Sequence, residues 1–303
     1  MAKTSLMTVV ARRMTLSLIC LLALPAGPVL AERDTAAAPS MQAMIEELGL
    51  RESATPVRES PGWQKPRKVV VFLSQPERLP ALQAAAPEVE IVAVQSTEQA
   101  VKEVVDAQAL LGSCDEEIVA QGLQLHWIQV YSSGVDRCVG NPSLSRDDRI
   151  LTNGQKVGSP ALAEHAIAMM MTLVRALDVY HANQLNGSWQ RDVGMEREEF
   201  LELEGRTVLV VGLGGIGTQT ARRAHGLGMR VIATRGSRRE GPAYVDYVGL
   251  AEETLDLAGQ ADVVINTAPL TEQTRGMFNS AFFKAMKPTA YFVSVGRGAS
   301  TVT

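Results

Sequence analysis

Short apolar runs and longer polar stretches alternate along the chain from Lys68 onwards. Unbroken runs of Val, Ile and Leu are typical of strands buried on both faces, and the polar stretches between them are long enough for helices. This alternation predicts an α/β fold built on parallel sheets. In the first half, the pattern predicts strands at 69–73, 91–94, 109–111, 127–130 and 151–152.

The second half of the pattern predicts a doubly wound nucleotide-binding sheet. Its predicted strands are 208–211, 230–233, 263–267 and 291–295, with helices near 251–257 and 280–286. Strands and helices in this order form the βαβαβ unit of such sheets. We therefore expect two domains, residues 67–156 and residues 157–303, a number that suits a chain of 303 residues.

A long apolar helix is predicted between the two halves. Ser159 would cap it, Pro160 would start it, and it would continue to about Leu177. Its middle, residues 166–174, is apolar around most of the circumference. We expect such a helix to be buried within the chain or against a partner.

The N-terminus has the pattern of an exported protein. Arg12 and Arg13 precede a short apolar run, and small residues follow as far as Ala31. This predicts a signal peptide over residues 1–31, and hence a periplasmic or secreted protein without stable membrane association after cleavage. An uncleaved anchor, a twin-arginine signal and a cytoplasmic location are the alternatives.

Residues 32–66 are rich in Ala, Pro and charged residues, which predicts a tether rather than a domain. One helix is expected inside it, capped by Ser40 and ended by Gly49. Its apolar face would consist of Met41, Met44, Ile45 and Leu48.

Charge and cysteine content narrow the classes of partner. The net charge of −4 gives no reason to expect a nucleic acid. The three cysteines show no metal-ligand spacing, so no metal site is predicted. An oxidising compartment would permit Cys114 and Cys138 to pair, although their spacing does not show whether they approach each other.

The predicted strand at 208–211 leads directly into Gly212-Leu-Gly214-Gly215-Ile216-Gly217. A G-x-G-x-x-G sequence between a strand and a helix is the dinucleotide-binding fingerprint. Gly212 would permit the tight turn, Gly214 would let the backbone approach a pyrophosphate, and Gly217 would let the helix pack close to its strand. The helix N-terminus would present N–H groups to the phosphates. A plain glycine-rich turn is the alternative.

Two further segments, 266–271 and 294–298, follow predicted strands at the edge where open α/β sheets bind ligands. The second contains Arg297 between two glycines. A planar guanidinium can hold a carboxylate by two hydrogen bonds. Taken alone, Arg297 would be interpreted as a surface arginine in a turn.

As a set, these motifs resemble those of the D-isomer-specific 2-hydroxyacid dehydrogenases. The resemblance covers roughly Lys68 to Thr303 and implies a flavodoxin-like substrate domain, a Rossmann-type cofactor domain, a cleft between them and usually a homodimer. The motifs that carry it are Gly212–Gly217, Pro269–Arg275, Met286–Pro288, Val295–Gly298, Ser133–Asp136 and Ala163–His165.

The resemblance also implies roles for individual residues. Arg297 would grip the carboxylate and carbonyl oxygen of the substrate, which is a small 2-keto or 2-hydroxy acid. Backbone N–H groups of Ser133, Gly134 and Val135 would hold the other side of the carboxylate. The cofactor contacts would be Gly212, Gly214, Gly215, Ile216, Gly217, Ala268, Pro269, Thr274, Val295 and Gly296.

The family also uses a Glu and a His that lie well beyond its Gly-Arg-Gly motif, and the His moves the hydroxyl proton during hydride transfer. The sequence ends at Thr303, so we expect a C-terminally truncated member of the family. The loss of a general acid/base costs about 10²–10⁴-fold in rate. None of the four histidines is expected to replace it: His126, His165, His181 and His225.

The choice of cofactor depends on the end of the second strand of the nucleotide-binding sheet. The acidic residue expected about twenty residues past the fingerprint is absent. Thr234-Arg235-Gly-Ser237-Arg238-Arg239 stands there instead. Cations and a hydroxyl suit a 2′-phosphate, so NADP(H) is favoured over NAD(H), with Arg235, Ser237 and Arg238 as contacts. A solvated basic turn is the alternative.

The sequence therefore predicts an NAD(P)-dependent oxidoreductase that interconverts a 2-hydroxy acid and a 2-keto acid, similar to glyoxylate/hydroxypyruvate reductases and impaired by truncation. The alternative is a non-catalytic NADP(H)-binding or sensing module that has lost its acid/base pair. Oxidation of formate or phosphite also stays open within the enzyme class.

Overall fold

The computed structural model describes residues 63–145, 149–190 and 202–302, together with 45, 50–51, 53–59 and 193. The predicted signal peptide, and nearly all of the helix predicted in the tether, lie outside these residues. The described residues belong to one compact unit that begins at Met44. No described helix is both long and apolar enough to cross a membrane.

The first sheet has five parallel strands. They are β1 (Lys68–Phe72), β2 (Glu90–Val94), β3 (Ala109–Leu111), β4 (Trp127–Val130) and β5 (Ile150–Asn153). The helices α1 (Leu79–Ala85), α2 (Thr97–Glu103) and α3 (Glu116–Gln121) connect the first four strands. The spatial order is β2-β1-β3-β4-β5, the flavodoxin-like order that the family resemblance implies.

The predicted long helix corresponds to α4 (Ser159–Val174), which ends shortly before the predicted end near Leu177, and an unpredicted helix, α5 (Leu177–Leu185), follows it. The break comes at Ala176, whose φ of 48° lies in the left-handed region and cannot continue a right-handed helix. The prediction of Ser159 as the cap is also wrong. Gly158 is the N-cap, because Ser159 is already helical and only 3% exposed.

The second sheet also has five parallel strands. They are β6 (Thr207–Val211), β7 (Arg230–Arg235), β8 (Tyr247–Leu250), β9 (Val263–Asn266) and β10 (Tyr291–Ser294). The helices are α6 (Gly215–Gly226), α7 (Thr254–Ala258) and α8 (Ser280–Ala285). The spatial order β10-β9-β6-β7-β8 is that of a doubly wound dinucleotide-binding sheet, read from its fifth strand to its third.

Two features of the second sheet differ from the prediction. β8 is not predicted, because its Tyr-Val-Gly-Leu sequence is short and interrupted by Gly249. β7 continues two residues beyond the predicted end at Ala233, because β8 pairs along it and Arg235 lies opposite Leu250. Arg235 is therefore the last residue of a strand rather than part of a free turn.

The apolar helix α4 is buried against the second sheet. Ala166, Met170 and Val174 of α4 share one core with Val208 of β6 and Ala221 of α6. All five of these side chains are fully buried. The crossover from the first sheet is thereby fixed to the nucleotide-binding helix α6.

Candidate functional site

The glycine loop joins β6 to α6 at the carboxyl edge of the second sheet. Gly212 has a φ of 94°, and a Cβ there would lie 2.9 Å from the backbone nitrogen of Ala268. A Cβ on Gly217 would overlap the carbonyl oxygen of Gly212 and lie 2.7 Å from Oγ1 of Thr267. A Cβ on Gly214 would meet nothing within 4 Å. The loop is thus tight against the protein and open where the fingerprint places a pyrophosphate.

The start of α4 lies beside the first turn of α6. A Cβ on Gly215 would lie 2.6 Å from Oγ of Ser159 and 3.0 Å from Cγ of Lys156. Ile216 follows in the same turn, and its carbonyl accepts a hydrogen bond from Oγ1 of Thr220 at 2.9 Å. The predicted contacts Gly215 and Ile216 therefore lie where the crossover between the sheets meets the helix.

The end of β7 lies against the glycine loop. The backbone N–H groups of Gly212 and Leu213 both donate to the carbonyl of Thr234, at 3.2 and 2.9 Å. The next residue is Arg235, whose Nε is buried without a hydrogen-bond partner in the described part of the chain. Burial, together with the positive charge of Arg238, lowers the pKa of Arg235 from its ordinary value.

The other basic residues near this strand end are arranged differently. Ser237 and Arg238 follow Arg235 and are exposed. Arg239 is directed away, because it forms an ion pair with Glu253 at 2.6 Å. Arg235, Ser237 and Arg238 thus stay together at the loop, whereas Arg239 is occupied elsewhere.

The loop after β4 contains a row of three backbone N–H groups without a hydrogen-bond acceptor among the described residues. The carbonyls of residues 132 to 135 each accept a hydrogen bond, respectively from Gly154 N, Asn153 Nδ2, Ser132 Oγ and Cys138 N. By contrast, the N–H groups of Ser133, Gly134 and Val135 have no acceptor among the described residues. Successive N–H groups of this kind form an anion-binding concavity.

Arg297 reaches this loop from the second sheet, where it follows β10. Its Nε donates to Oδ2 of Asp136 at 3.1 Å. Its Nη2 lies directly against Gly134, because a Cβ on that glycine would overlap it. The side chains of Arg297 and Asp136 are 47% and 37% exposed, so an incoming ligand can reach them.

The backbone of Arg297 is held by a buried polar network centred on Asn266. Nδ2 of Asn266 donates to Oγ of Ser294 at 3.0 Å and to Oγ of Ser300 at 3.1 Å. Ser300 in turn donates to the carbonyl of Arg297 at 2.6 Å. Oδ1 of Asn266 accepts from the N–H of Ala268 at 3.0 Å. One buried amide therefore fixes the loops after both β9 and β10.

The remaining predicted cofactor contacts lie on these two loops. Val295 donates its N–H to the end of β9 at 3.0 Å, and a Cβ on Gly296 would lie 3.0 Å from the carbonyl oxygen of Ala268. Thr274 closes the other loop by donating to the carbonyl of Pro269 at 2.6 Å. The carboxyl edge of the second sheet near the glycine loop is thus bordered by Ala268, Pro269, Thr274, Val295 and Gly296.

A cavity of about 840 Å³ opens at the carboxyl edge of the first sheet. Its wall includes Gly134, Asp136 and Arg297. It also includes a disulfide between Cys114 and Cys138, whose Cα atoms are 5.6 Å apart. The pairing that the sequence leaves open is therefore present, and it joins the loop after β3 to the loop after β4.

The four histidines, all in the described part of the chain, do not line this cavity. His126 donates from Nε2 to the carbonyl of Gln64 at 2.7 Å, and His225 packs against the ring of Tyr244. Within the described ranges, no three His, Cys, Asp or Glu side chains are grouped as metal ligands.

Two residues of this site have no role predicted from the sequence. Asp136 stands in the Ser133–Asp136 motif, but its partner Arg297 is 161 positions away. Asn266 is a fully buried amide at the end of an apolar strand. The available signal for Asn266 was its position as a polar residue at the end of a buried strand, because a buried polar group requires hydrogen-bond partners.

Residues 167–303 match the family model described as the NAD-binding domain of D-isomer specific 2-hydroxyacid dehydrogenases. A glyoxylate reductase from Pyrococcus furiosus is 34% identical over 190 residues, which are 61% of this chain and 55% of that enzyme. The chain spans about half the length of the curated relatives it matches, including a second glyoxylate reductase, from Thermococcus kodakarensis.

Solved structures give the same result across a larger part of the chain. A D-isomer specific 2-hydroxyacid dehydrogenase family protein from Aeromonas salmonicida has a TM-score of 0.68 and 27% identity, covering 78% of this chain and 74% of that one. An NADPH-dependent glyoxylate/hydroxypyruvate reductase from Sinorhizobium meliloti, solved with NADP and sulfate, has a TM-score of 0.65 over 78% of this chain and 74% of that one. At 22% identity, this second likeness concerns the fold alone. Residues 167–303 thus match the NAD-binding domain of the D-isomer specific 2-hydroxyacid dehydrogenases, and the motifs, both sheet orders and the solved structures make the chain similar to that family over about 78% of its length.

Proposed function

We propose that the chain binds a nicotinamide dinucleotide and a small 2-keto or 2-hydroxy acid and interconverts the two acids by hydride transfer, as a glyoxylate/hydroxypyruvate reductase does. One observation carries this proposal. The guanidinium of Arg297, on the second sheet, lies against Gly134, in the row of N–H groups on the first.

This pairing suits a carboxylate that sits between two sets of donors. The N–H groups of Ser133, Gly134 and Val135 would donate to one side of it, and the terminal nitrogens of Arg297 to the other. Charge-assisted hydrogen bonds of this kind are stronger than neutral ones. The carbonyl next to the carboxylate would then also lie within reach of Arg297, which would stabilise negative charge on its oxygen during reduction.

The second sheet fits the cofactor. A Cβ on Gly214 would project into open space. The N-terminus of α6 begins at the next residue and offers N–H groups to a phosphate there. When bound, the nicotinamide supplies or accepts the hydride. The protein's part is to hold the two reactants together and in the correct orientation.

The preferred cofactor of this proposal is NADP(H), with NAD(H) as the alternative. The support comes from Arg235, whose buried Nε lacks a hydrogen-bond partner among the described residues and which adjoins the exposed Ser237 and Arg238. A 2′-phosphate there would supply acceptors for the guanidinium of Arg235, whose Nε has no partner among the described residues.

A second candidate function is a binding or sensing module without turnover. The observation that favours it is the position of the histidines, none of which lines the cavity beside Arg297. Both candidates predict that cofactor and keto acid bind, and only the first predicts that NADPH is consumed. Incubation with NADPH and glyoxylate therefore separates them.

The test of the proposed site is a titration of oxamate, an unreactive 2-keto acid analogue, into the protein with bound NADPH. Arg297→Lys should weaken oxamate binding at least tenfold, because a point charge cannot reproduce the planar fork, while the NADPH dissociation constant stays the same. Arg137→Lys, in the same cavity, is the matched control and should change neither constant. Equal oxamate affinity in Arg297→Lys and the unsubstituted protein would remove Arg297 from the site.

The proposed location is the periplasm or the exterior of the cell. The Cys114–Cys138 disulfide supports it, because disulfides persist mainly in oxidising compartments. Cell fractionation tests the location, and mass spectrometry of the N-terminus tests cleavage after Ala31. Intact protein that starts at Met1 in the cytosol would remove this proposal.

The proposed assembly is a homodimer. Five large apolar side chains are exposed along α4, α5 and the segment that follows: Leu162, Leu177, Tyr180, Leu185 and Trp189. Apolar residues clustered on a surface are typical of interfaces. Light scattering should give twice the mass of one chain, and Leu185→Glu should lower it, whereas Leu123→Glu, in the exposed loop between α3 and β4, should not.

A further inference from the structure

The geometry points to Asp136 as the positioning residue for Arg297, and this inference rests on the proposed function. Asp136 sets the direction in which the guanidinium meets a 2-keto acid carboxylate. Its carboxylate has no proposed contact with the substrate itself, so its effect passes entirely through Arg297.

A long side chain such as that of Arg297 needs a second contact to hold its guanidinium in one orientation for binding. Its backbone is fixed by Ser300 and Asn266, but its side chain is 47% exposed and would otherwise sample many rotamers. Its ion pair with Asp136 supplies a second fixed point at 3.1 Å. Binding then orders fewer degrees of freedom, and affinity rises by preorganisation.

The atoms used by the pair determine the direction of the fork. Asp136 accepts from Nε, the inner nitrogen of the guanidinium. The two terminal nitrogens remain for a ligand, and Nη2 lies beside the N–H row at Gly134. A carboxylate held by Nε and Nη2 together would have to displace Asp136, whereas one held by the terminal nitrogens would not.

Asp136 is itself held rigidly. It lies in the turn between Val135 and Cys138, which is closed by a hydrogen bond from Cys138 N to Val135 O at 2.8 Å. Cys138 is also tied to Cys114 by the disulfide. Asp136 therefore transmits the position of the first-sheet loop to an arginine of the second sheet.

The negative charge of Asp136 would oppose the binding of a keto acid if it were not paired with Arg297. An unpaired carboxylate in the same cavity would repel the carboxylate of a keto acid. Paired with Arg297, its charge is largely offset while the terminal edge of the guanidinium stays available. Removal of Asp136 thus has two opposing effects on the affinity for a keto acid. Loss of the positioning of Arg297 weakens binding, and loss of a repulsive charge strengthens it. We expect the first effect to be larger.

The experiment compares Asp136→Asn with Asp115→Asn, which removes the same charge from the same cavity at a residue without a bond to Arg297 among the described residues. Oxamate dissociation constants are measured with bound NADPH. Asp136→Asn should weaken oxamate about fivefold to tenfold and leave NADPH affinity unchanged. Asp115→Asn should tighten oxamate slightly or change nothing.

A double-variant comparison separates positioning from simple stability. Arg297→Lys should cost less in the Asp136→Asn background than in the unsubstituted protein, because the arginine is already misplaced there. Asp136→Glu should restore part of the loss, and Asp136→Ser replaces Asp136→Asn if that variant fails to fold. Equal or tighter oxamate binding in Asp136→Asn, or additive losses in the double variant, would overturn the inference. If the unsubstituted protein binds NADPH but no oxamate, the proposed function itself fails before any variant is compared.

Discussion

Gly212, Gly214 and Gly217 belong to one motif, yet each is glycine for a different physical reason. Gly212 needs a left-handed φ, Gly217 has no room for a Cβ, and Gly214 has room that a ligand would use. The motif predicts these three roles because they follow from the strand, turn and helix that it marks. The contact of Asp136 with Arg297 could not be predicted in this way, since it depends on how two sheets meet.

Substitution of Gly214 tests the cofactor site at this scale. Gly214→Val should abolish NADPH binding, because the branched side chain would occupy the place of the pyrophosphate while meeting no protein atom. Reduced-nicotinamide fluorescence measures the binding. Gly226→Val, at the other end of α6 and equally open, is the control and should bind normally. Unchanged affinity in Gly214→Val would contradict the assignment of this loop.

Arg235 should decide between the two cofactors. Arg235→Asp should weaken NADPH by at least tenfold more than NADH, through lost pairing and added repulsion with the 2′-phosphate. Arg230→Asp, at the opposite end of β7, is the control and should affect neither cofactor. The comparison uses titrations of both cofactors under one salt condition. An unsubstituted protein that binds NADH more tightly than NADPH would refute this preference.

At the scale of elements, the sequence predicts best those strands that have unbroken apolar runs. Nine of the ten observed strands overlap a predicted one, because most of them carry a continuous run of apolar residues. β8 has no such pattern, since it is short, is interrupted by Gly249 and depends on pairing with β7. The end of α4 lies close to the predicted end near Leu177, whereas α5 is not predicted.

The disulfide should stabilise the first sheet's loops. It closes a loop with a sequence separation of 24, for which chain entropy predicts about 3 kcal/mol. A dithiol reductant should therefore lower the free energy of unfolding by about that amount. It should also weaken the binding of oxamate and leave the affinity for NADPH unchanged. Cys114→Ser/Cys138→Ser is the control, because the reductant should have no effect on it. Urea unfolding with and without reductant gives the comparison, and identical curves for the unsubstituted protein would contradict it.

Asp262 should make the second sheet sensitive to acid. Burial raises its pKa, but hydrogen bonds from Lys287 at 2.9 Å and from the N–H of Thr207 at 2.8 Å more than offset this and lower the pKa overall. A carboxyl whose pKa is lowered by folding contributes stability above its unfolded pKa, and this stability is lost as the pH falls through the folded pKa.

Asp262→Asn should therefore lower the free energy of unfolding at neutral pH by about 1–3 kcal/mol. The difference from the unsubstituted protein should shrink as the pH falls below about 4. Asp256→Asn, at an exposed position on α7, should show no such trend. A difference that stays constant with pH would exclude Asp262 as the cause.

At the scale of the whole molecule, the predicted class of fold and the family resemblance are both confirmed. Periodicity predicts parallel sheets, and ordered motifs predict the family, because both signals extend over many residues. The site is less complete in the sequence. Arg297 and the glycines are visible in motifs, whereas Asp136, Asn266 and the disulfide acquire their roles only when distant segments meet.

The central claim is that this site transfers a hydride between a nicotinamide and a small 2-keto acid. The most direct measurement is to incubate the purified protein with glyoxylate and NADPH deuterated at the transferable position, and to follow the product by mass spectrometry. A long incubation is used so that slow turnover is also detected. The account predicts deuterium on C2 of glycolate, and much less with Arg297→Lys. Bound NADPH with no deuterated glycolate would contradict hydride transfer and favour a binding module.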